Sequence, residues 1–328
     1  MPTTLCISPL LARGLSHRVV APAVFERRNQ NSPVARITIA MNNATKICAV
    51  LCIFAAAACG QIKTAEPLRA EELSKPVAVE PGTNLSVRYI ANEGVLIVSG
   101  NKQVLIDGLH REYKPAYLFP PPEMQAVLEN ARAPYDMINV LLVSHVHLDH
   151  FHPQSIGQYL KANPKSVFVS SGQAVDEVTK GFAEHEKVRP QIKPVNHEWK
   201  KSTEMNLDGV KIKFLGLRHS GEHFKSIQNL GHVIELGGKK LLHIGDADMT
   251  AENFAAFNLA SEKIDIAFIP YWFLISADGR AFVKAHFNAK NIIAVHIPPA
   301  EAEKVTRQLA KDLPDAIAFT RILEDRNF

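Results

Sequence analysis

The sequence predicts an α+β fold in which two mixed β-sheets pack face to face and helices cover both outer faces. Two observations lead to this prediction. Short strand-like runs joined by tight turns open each half of the chain, and apolar strands alternating with helices follow them. The order of a meander and then a β-α-β unit thus occurs twice, which fits two mixed sheets better than a doubly wound parallel sheet. The chain of 328 residues, 46% hydrophobic and 21% charged, has an ordinary globular composition.

The predicted elements alternate in the same way in both halves. In the first half, strands are expected at 85–90, 95–99, 103–107, 140–143 and 167–170, and helices at 123–132, 153–162 and 173–188. In the second half, strands are expected at 211–217, 231–236, 240–244, 264–269, 291–296 and 316–322, and helices at 251–259, 279–289 and 299–312. Pro122 suits the first turn of its helix, and Gly237-Gly238 is typical of a two-residue hairpin loop.

A secretory signal is predicted near the N-terminus. The apolar run 47–58 follows a short basic start at Met41 and ends in small residues, and it is too short for a bilayer span of about 20 residues. Cleavage after Ala58 by an ordinary signal peptidase is one interpretation. The other is a bacterial lipobox at 57–60 that makes Cys59 the lipidated first residue, and we favour it because it gives Cys59 a use. A buried apolar helix is the alternative to both.

Four segments follow from this signal. Residues 1–40 precede it and are expected to be a leader before a true start at Met41, or an Arg-rich transit peptide. Residues 41–59 form the signal or lipobox, residues 60–80 a polar linker, and residues 81–328 the folded domain. The protein is then exported, periplasmic or envelope-anchored in a bacterium, and it contacts the membrane only through a lipid anchor at Cys59.

Charge and cysteine content exclude several classes of function. The first 58 residues carry six basic side chains against Glu26 alone, so the formal net charge of +4 belongs to this segment and the rest is close to neutral. Nothing in that neutral part favours nucleic-acid binding. All four cysteines lie within the first 59 residues. The domain therefore has no disulfide, cysteine nucleophile or thiolate ligand, and any metal in it is held by nitrogen and oxygen.

The strongest functional signal is a cluster of ligand-type side chains directly after the apolar strand 140–143. It contains His145, His147, Asp149 and His150 within six positions. Because alternate residues of an extended segment point the same way, His145 and His147 can converge on one metal ion. Asp149 and His150 lie at the turn into the next helix and are better placed for a second, neighbouring ion. The cluster predicts half of a two-metal site.

This spacing resembles the signature of the metallo-β-lactamase superfamily over roughly residues 84–300, and the family's fold is an αββα sandwich. The resemblance implies three further ligands, each at the end of a later strand. They are His219, for which His223 is the nearby competitor; Asp246, preferred over Asp248; and His296. It also implies that Asp107, at an early strand end, holds a ligand histidine, although a simple turn residue is an equal alternative.

The implied metal shells and their chemistry follow residue by residue. One ion is held by His145, His147 and His219, the other by Asp149, His150 and His296, and Asp246 lies between them. Zn²⁺ is the default, and the same nitrogen and oxygen donors suit Fe or Mn. A water bridging two such ions loses its proton near neutral pH and becomes the nucleophile. Asp149 would orient this water, and His223 is the candidate for an acid that contacts the substrate.

The expected function is a dinuclear metal-dependent hydrolase that attacks an ester, a lactone or a phosphodiester. The sequence around the ligands is similar to the branch holding ascorbate-6-phosphate lactonase and N-acyl-phosphatidylethanolamine phospholipase D. The aromatic stretches 113–122 and 270–275 could form a wall for a small apolar or acyl-bearing substrate, or pack on each other. Arg111, Arg218 and Lys225 are possible anchors for an anion. The alternatives are an iron-dependent redox member such as a sulfur dioxygenase, and a non-catalytic metal-binding envelope lipoprotein.

Overall fold

The computed structural model describes residues 68–113 and 116–328. Two mixed sheets of seven strands each pack face to face in this part of the chain, with helices on both outer faces. The predicted fold class is therefore confirmed. The predicted leader at 1–40 and signal segment at 41–59 lie outside the described residues. None of the described helices is long and apolar enough to cross a membrane.

The first sheet combines an N-terminal meander with parallel strands. Its strands are β1 (Ser86–Ala91), β2 (Gly94–Ser99), β3 (Lys102–Ile106), β4 (Val140–Leu142), β5 (Val167–Ser171), β6 (Ile192–Val195) and β14 (Asp325–Asn327). Their spatial order is β14-β1-β2-β3-β4-β5-β6. Strands β1 to β3 pair antiparallel and β3 to β6 pair parallel, so β1 and β3 to β6 all end at the same edge of the sheet.

The second sheet repeats this plan. Its strands are β7 (Ser202–Leu207), β8 (Val210–Arg218), β9 (Gln228–Leu236), β10 (Lys239–His243), β11 (Ile266–Pro270), β12 (Asn291–Val295) and β13 (Ile317–Ala318). The order is β13-β12-β11-β10-β9-β8-β7. Strands β7 to β10 pair antiparallel and β10 to β13 pair parallel. The strands β8, β10, β11 and β12 consequently end at one edge.

Alternation along the strands produces the layers. In β3, Val104 and Ile106 face the other sheet, whereas Leu105 faces the helices outside. The helices are α1 (Ala70–Leu73), α2 (Pro122–Glu129), α3 (Pro153–Ala162), α4 (Gly172–Gly181), α5 (His185–Val188), α6 (Ala251–Phe254), α7 (Ala277–His286) and α8 (Ala302–Asp312). Helices α2 to α5 pack on the first sheet and α6 to α8 on the second. Both sheets are thus buried on two faces, which is typical of sheets that contain parallel strands.

Some element boundaries differ from the sequence prediction. The single helix expected at 173–188 is divided into α4 and α5, because Phe182 is extended and packs its ring over Gly157 of α3. The helix expected at 251–259 ends at Phe254. Strands β6, β7 and β14 were not predicted, since β7 is an edge strand with mostly polar residues and β6 contains Pro194.

Residues 68–80, the described part of the predicted linker, contact the domain. Leu73 of α1 is buried. Arg88 of β1, only 1% exposed, pairs with Asp325 of β14 at 2.7 Å and donates to the carbonyl oxygens of Lys75 at 2.7 Å and Pro76 at 3.3 Å. A buried guanidinium needs such partners, so Arg88 ties this segment to the first sheet.

Candidate metal centre

The residues expected to hold metal come together where strands of both sheets end. His145 follows β4 and His219 follows β8, while Asp246 and His296 follow β10 and β12. Several residues at these strand ends turn the chain sharply with a positive φ, among them Asp107 at 46°, Gly245 at 55° and His296 at 58°. Non-glycine residues adopt this region only when their surroundings hold them there. The backbone is therefore bent to direct these side chains toward one point.

The first set of side chains, here called the histidine group, consists of His145, His147 and His219. His145 Nε2 lies 3.1 Å from His147 Nδ1 and 3.3 Å from His219 Nε2, and His147 Nδ1 lies 3.1 Å from His219 Nε2. Tetrahedral ligands about 2.05 Å from a zinc ion are about 3.3 Å apart. The spacing of these three nitrogen atoms therefore fits one metal ion.

The second set, here called the mixed group, consists of Asp149, His150 and His296. Asp149 Oδ2 lies 3.6 Å from His150 Nε2 and 3.3 Å from His296 Nε2. All three side chains are buried. The ligand atoms of each group lie within 4.8 Å of one another, so the mixed group also fits one ion.

Asp246 lies between the two groups and offers one oxygen to each. Its Oδ2 is 3.6 Å from His219 Nε2, whereas its Oδ1 is 3.5 Å from both His150 Nε2 and His296 Nε2. His150 Nε2, His296 Nε2 and Asp246 Oδ1 are buried without a hydrogen-bond partner. Buried polar atoms are normally satisfied, and a cation between these three atoms would satisfy them. The residues present thus fit a bridged pair of metal ions.

Protonation distinguishes the two groups. Burial lowers the pKa of all three imidazoles in the histidine group, that of His147 to about 4, so they are neutral at pH 7 with a free lone pair. Burial also acts to lower the pKa of His150, but the carboxylates of Asp246, Asp149 and Asp107 outweigh it and raise this pKa to about 10. A cation in the mixed group would therefore take the place of a proton.

Asp107 holds two ligands through a buried hydrogen-bond chain, in the position that the family resemblance implies. Its carboxylate accepts from Ser144 N at 2.7 Å and Ser144 Oγ at 2.6 Å, and it lies 3.0 Å from His150 Nδ1. Ser144 Oγ lies 3.0 Å from His145 Nδ1. A proton on both Nδ1 atoms satisfies every partner and leaves both Nε2 atoms free to bind metal. Ser144 thus positions His145.

The turn between β1 and β2 also reaches the centre, which the sequence did not predict. Asn92, with a φ of 51°, donates from Nδ2 to Asp149 Oδ2 at 3.1 Å, and its carbonyl accepts from His296 N at 3.0 Å. Burial raises the pKa of the neighbouring Glu93 to about 8. The sequence predicted only a tight turn here, between the strands expected at 85–90 and 95–99.

The family is decided by the match of a family model, the beta-lactamase superfamily domain, to residues 103–313, more than half of the chain. The chain belongs to the metallo-β-lactamase superfamily. A protein from Veillonella parvula named "a possible metal-dependent hydrolase" is 15% identical with a TM-score of 0.52, over 75% of this chain and 100% of its own. The metallo-β-lactamase fold protein YhfI from Bacillus subtilis is 13% identical with a TM-score of 0.50, over 74% and 99%. A search of the curated proteins found no match.

At such identities the likeness to solved structures concerns the metallo-β-lactamase fold alone. It does not separate the lactonase and phospholipase D branch from the others, so that branch stays a prediction. The metal-binding chemistry of this metallo-β-lactamase-fold protein rests on its own two groups of ligands.

A cleft of about 330 Å³ opens over both groups. Tyr113 and Tyr117 of the first aromatic stretch and Trp272 of the second line it, together with Phe224. Tyr117 and Trp272 each contact the ring of His296 edge to face, with ring centroids 5.2 and 5.1 Å apart. Of the two interpretations of these stretches, the structure supports the wall around the site.

Several residues considered at the sequence level lie away from this metallo-β-lactamase centre. His223 is exposed on the 3-10 turn Glu222–Phe224 and does not line the cleft. After Gly221, which has a φ of 85°, Phe224 turns inward instead, and its ring lies 4.7 Å from that of His147. The assignment of His223 as an acid at the substrate is therefore not supported by the geometry.

The three expected anion anchors are engaged elsewhere. Arg111 donates to Glu129 at 2.8 Å, Arg218 lies over the ring of Trp199, and Lys225 pairs with Glu222. Asp248 belongs to none of the described metal-binding groups. Among the described residues that line the cleft there is no lysine or arginine.

Proposed function

We propose that this protein is a dinuclear metal-dependent hydrolase of an ester, a lactone or a phosphodiester. The observation that carries the proposal is the position of Asp246, whose two oxygen atoms face two separate groups of ligands. Bound ions would supply Lewis acidity toward a carbonyl or phosphoryl oxygen and a hydroxide nucleophile at neutral pH. Zinc is the default ion, and iron and manganese suit the same donors.

The chain's own residues orient the reacting groups. The neighbouring histidines, chiefly His150, outweigh burial and hold the pKa of Asp149 well below its ordinary value, so its carboxylate is ionised at pH 7. Asn92 donates to Asp149 Oδ2 and so fixes the direction of the carboxylate. Ionised and held in place, Asp149 accepts a hydrogen bond from the attacking water. The rings of Tyr117 and Trp272 against His296 limit the access of bulk water.

The proposed substrate is a small molecule with an apolar or acyl group beside the scissile bond. Aromatic rings from three segments form the described wall of the cleft, and such rings bind apolar groups by contact and exclusion of water. A volume of about 330 Å³ lies at the lower end of the range for small-molecule sites. Because the described lining has no lysine or arginine, we expect neutral esters and lactones to be better substrates than phosphodiesters.

The test is turnover by the metal-loaded protein on a panel of lactones, acyl esters, thioesters and phosphodiesters. Asp149→Ala is expected to lower kcat by at least about a hundredfold while the fold is retained. Asp248→Ala is the matched control, since its carboxylate is close in sequence to Asp246 but outside both groups. Full turnover by Asp149→Ala would refute the proposal. Elemental analysis that finds iron, with no hydrolysis of any member of the panel, would favour the redox alternative.

We also propose export of the protein and anchoring to the envelope through a lipid on Cys59. The basis is the order of a short basic start, an apolar run and small residues before Cys59. Mass spectrometry of the mature N-terminus is the test. A diacylglyceryl-modified Cys59 supports the lipid anchor, an unmodified residue after Ala58 supports ordinary cleavage, and an intact segment before Cys59 contradicts both.

A further inference from the structure

Glu93 is a buried carboxylate with no hydrogen-bond partner. It lies in the turn between β1 and β2 and is 1% exposed, and neither Oε1 nor Oε2 makes a hydrogen bond. An ionised carboxylate buried without partners costs several kcal/mol. Folding therefore carries a considerable free-energy cost at Glu93 unless a bound ion or water molecule satisfies the carboxylate.

The carboxylate of Glu93 lies beside the proposed metal centre, next to His150 of the mixed group and to Asp246 between the two groups. One oxygen of Glu93 lies within 4.8 Å of the ligand atoms of His150 and Asp246. His150 Nε2 and Asp246 Oδ1 are themselves buried and unpartnered. Unpartnered polar atoms of three side chains thus lie close together, and two of these side chains already belong to the proposed metal centre.

A separate metal site behind Glu93 is excluded by the hydrogen bonds of its other neighbours. Glu93, Asp107 and His243 also lie within 4.8 Å of one another. However, His243 Nδ1 accepts from Gly245 N at 3.3 Å, so its proton is on Nε2, which lies 3.2 Å from the carbonyl oxygen of Glu93 and 3.6 Å from Glu93 Oε2. Asp107 is already bonded to Ser144 and His150. Among these three side chains, only that of Glu93 has free acceptor atoms.

We propose that Glu93 is a further carboxylate ligand of the ion held by the mixed group. The proposal rests on the proposed function, because it requires an ion at that position. Ligand atoms opposite each other across an ion are about 4.2 Å apart, and a Glu93 oxygen lies within 4.8 Å of the ligand atoms of His150 and Asp246. Binding of the ion would therefore draw this oxygen only slightly closer. The ring N–H of His243 then remains beside the second oxygen and holds the carboxylate in place.

This ligand makes the two positions chemically unequal. The histidine group with Asp246 offers three nitrogen atoms and one oxygen. The mixed group with Asp246 and Glu93 offers two nitrogen atoms and three oxygens. Oxygen-rich sites favour harder ions such as manganese and iron relative to zinc. We therefore expect the second position to be the more permissive toward manganese and iron.

The test compares Glu93→Gln with the wild-type protein in metal content, metal affinity and thermal unfolding. Glutamine preserves the shape and removes the charge. Glu324→Gln is the matched control, since Glu324 is also buried but belongs to none of the described metal-binding groups. Zinc binding is followed by competition with a chelator, and the distance from the Glu93 oxygen to the ion is measured in a crystal of the zinc-loaded wild-type protein.

The expected result is that Glu93→Gln keeps the first ion and binds the second at least about tenfold more weakly. Its metal-free form should unfold close to the wild-type temperature, because glutamine keeps the size and shape of the buried side chain, and Glu324→Gln should bind both ions normally. In the crystal, a Glu93 oxygen should lie about 2.0–2.2 Å from the second ion. The crystal measurement does not depend on whether the variant folds.

Two results would overturn the assignment of Glu93 while the proposed function stands. They are unchanged affinity for the second ion in Glu93→Gln, and a Glu93 oxygen more than about 3 Å from that ion in a protein that has bound both. If the wild-type protein binds only one ion, the dinuclear function fails first and the ligand assignment fails with it. The count of ions in the wild-type protein therefore distinguishes the two failures.

Discussion

Asp107→Asn should selectively weaken the second metal position. The carboxylate of Asp107 accepts three hydrogen bonds, from Ser144 N, Ser144 Oγ and His150 Nδ1. Asparagine has nearly the same shape but offers one acceptor oxygen and an NH₂ group. If the oxygen stays with Ser144 N, the NH₂ faces His150 Nδ1, which must then accept. The proton of His150 moves to Nε2, the atom that faces the metal position.

The size of the effect follows from the loss of this hydrogen-bond partner. Removing the partner that orients a metal-binding histidine typically lowers metal affinity 10- to 100-fold, or about 1.4–2.7 kcal/mol. The histidine group should change less, because Ser144 Oγ can accept from the new NH₂ group and still accept from His145 Nδ1. His147 and His219 make no hydrogen bond to Asp107. His219 Nδ1 has its own partner in the carbonyl of Ser220 at 2.6 Å. We expect one ion to be retained and the other to be lost on dialysis.

The assay is chelator competition followed by elemental analysis, with thermal unfolding of the metal-free forms as a check on the fold. Ser144→Ala is the informative companion, because it removes the bond to Asp107 Oδ2 but leaves the contact between Asp107 and His150. It should affect the first ion through His145 and the second only slightly. Equal loss of both ions in Asp107→Asn, or wild-type affinity for the second, would refute this account of the histidine tautomers.

Three further predictions concern stability. Removal of metal by a chelator should lower the melting temperature by about 5–10 °C, since saturation with metal at a hundredfold excess over Kd contributes about 2.7 kcal/mol. An unchanged melting temperature in calorimetry would contradict metal binding at the site. Gly245→Ala should destabilise the fold by about 2 kcal/mol in urea unfolding, because the φ of Gly245 is 55° and an added Cβ would lie 2.5 Å from Asn229 Oδ1. An unchanged urea midpoint would show that the turn can relax. Burial lowers the pKa of His232 to about 3, so its contribution to stability is present above pH 6.5 and is lost as the pH falls toward 3. His232→Leu in the metal-free protein should remove up to about 1.4 kcal/mol per pH unit of that dependence, and identical slopes for both proteins would exclude the effect.

The seven ligand candidates were accessible from the sequence because each follows an apolar strand. Strands that end at the same edge of a sheet bring their following residues together, and the resemblance to the metallo-β-lactamase superfamily identified His219, Asp246 and His296 as the strand-end residues that join the first cluster. The same pattern identified the two-sheet fold. Strand position is encoded locally, in runs of apolar residues, and that is the level at which sequence analysis works.

The parts that were missed depend on contacts between distant segments. Nothing local distinguishes Glu93 from an ordinary polar turn residue, and its burial against His243 arises only when the two sheets meet. The choice between His223 and Phe224 likewise depends on the direction of one short turn after Gly221. Edge strand β7 was missed because half of its residues face solvent. Long-range burial, rather than local pattern, decided each of these cases.

In the proposed hydrolase, metal retention and substrate selection are physically linked, because the same aromatic rings contribute to both. Phe224 contacts the rings of His147 and His219, and Tyr117 and Trp272 contact His296. Edge-to-face contacts of this kind contribute about 0.5–1.5 kcal/mol each and restrict the rotation of the ligand rings. A change that widens the cleft by removing one of these aromatic side chains also loosens a ligand of one ion. In the proposed hydrolase, the aromatic wall would therefore restrict which substrates enter, and it would also preorganise the imidazoles of the two candidate metal-binding groups.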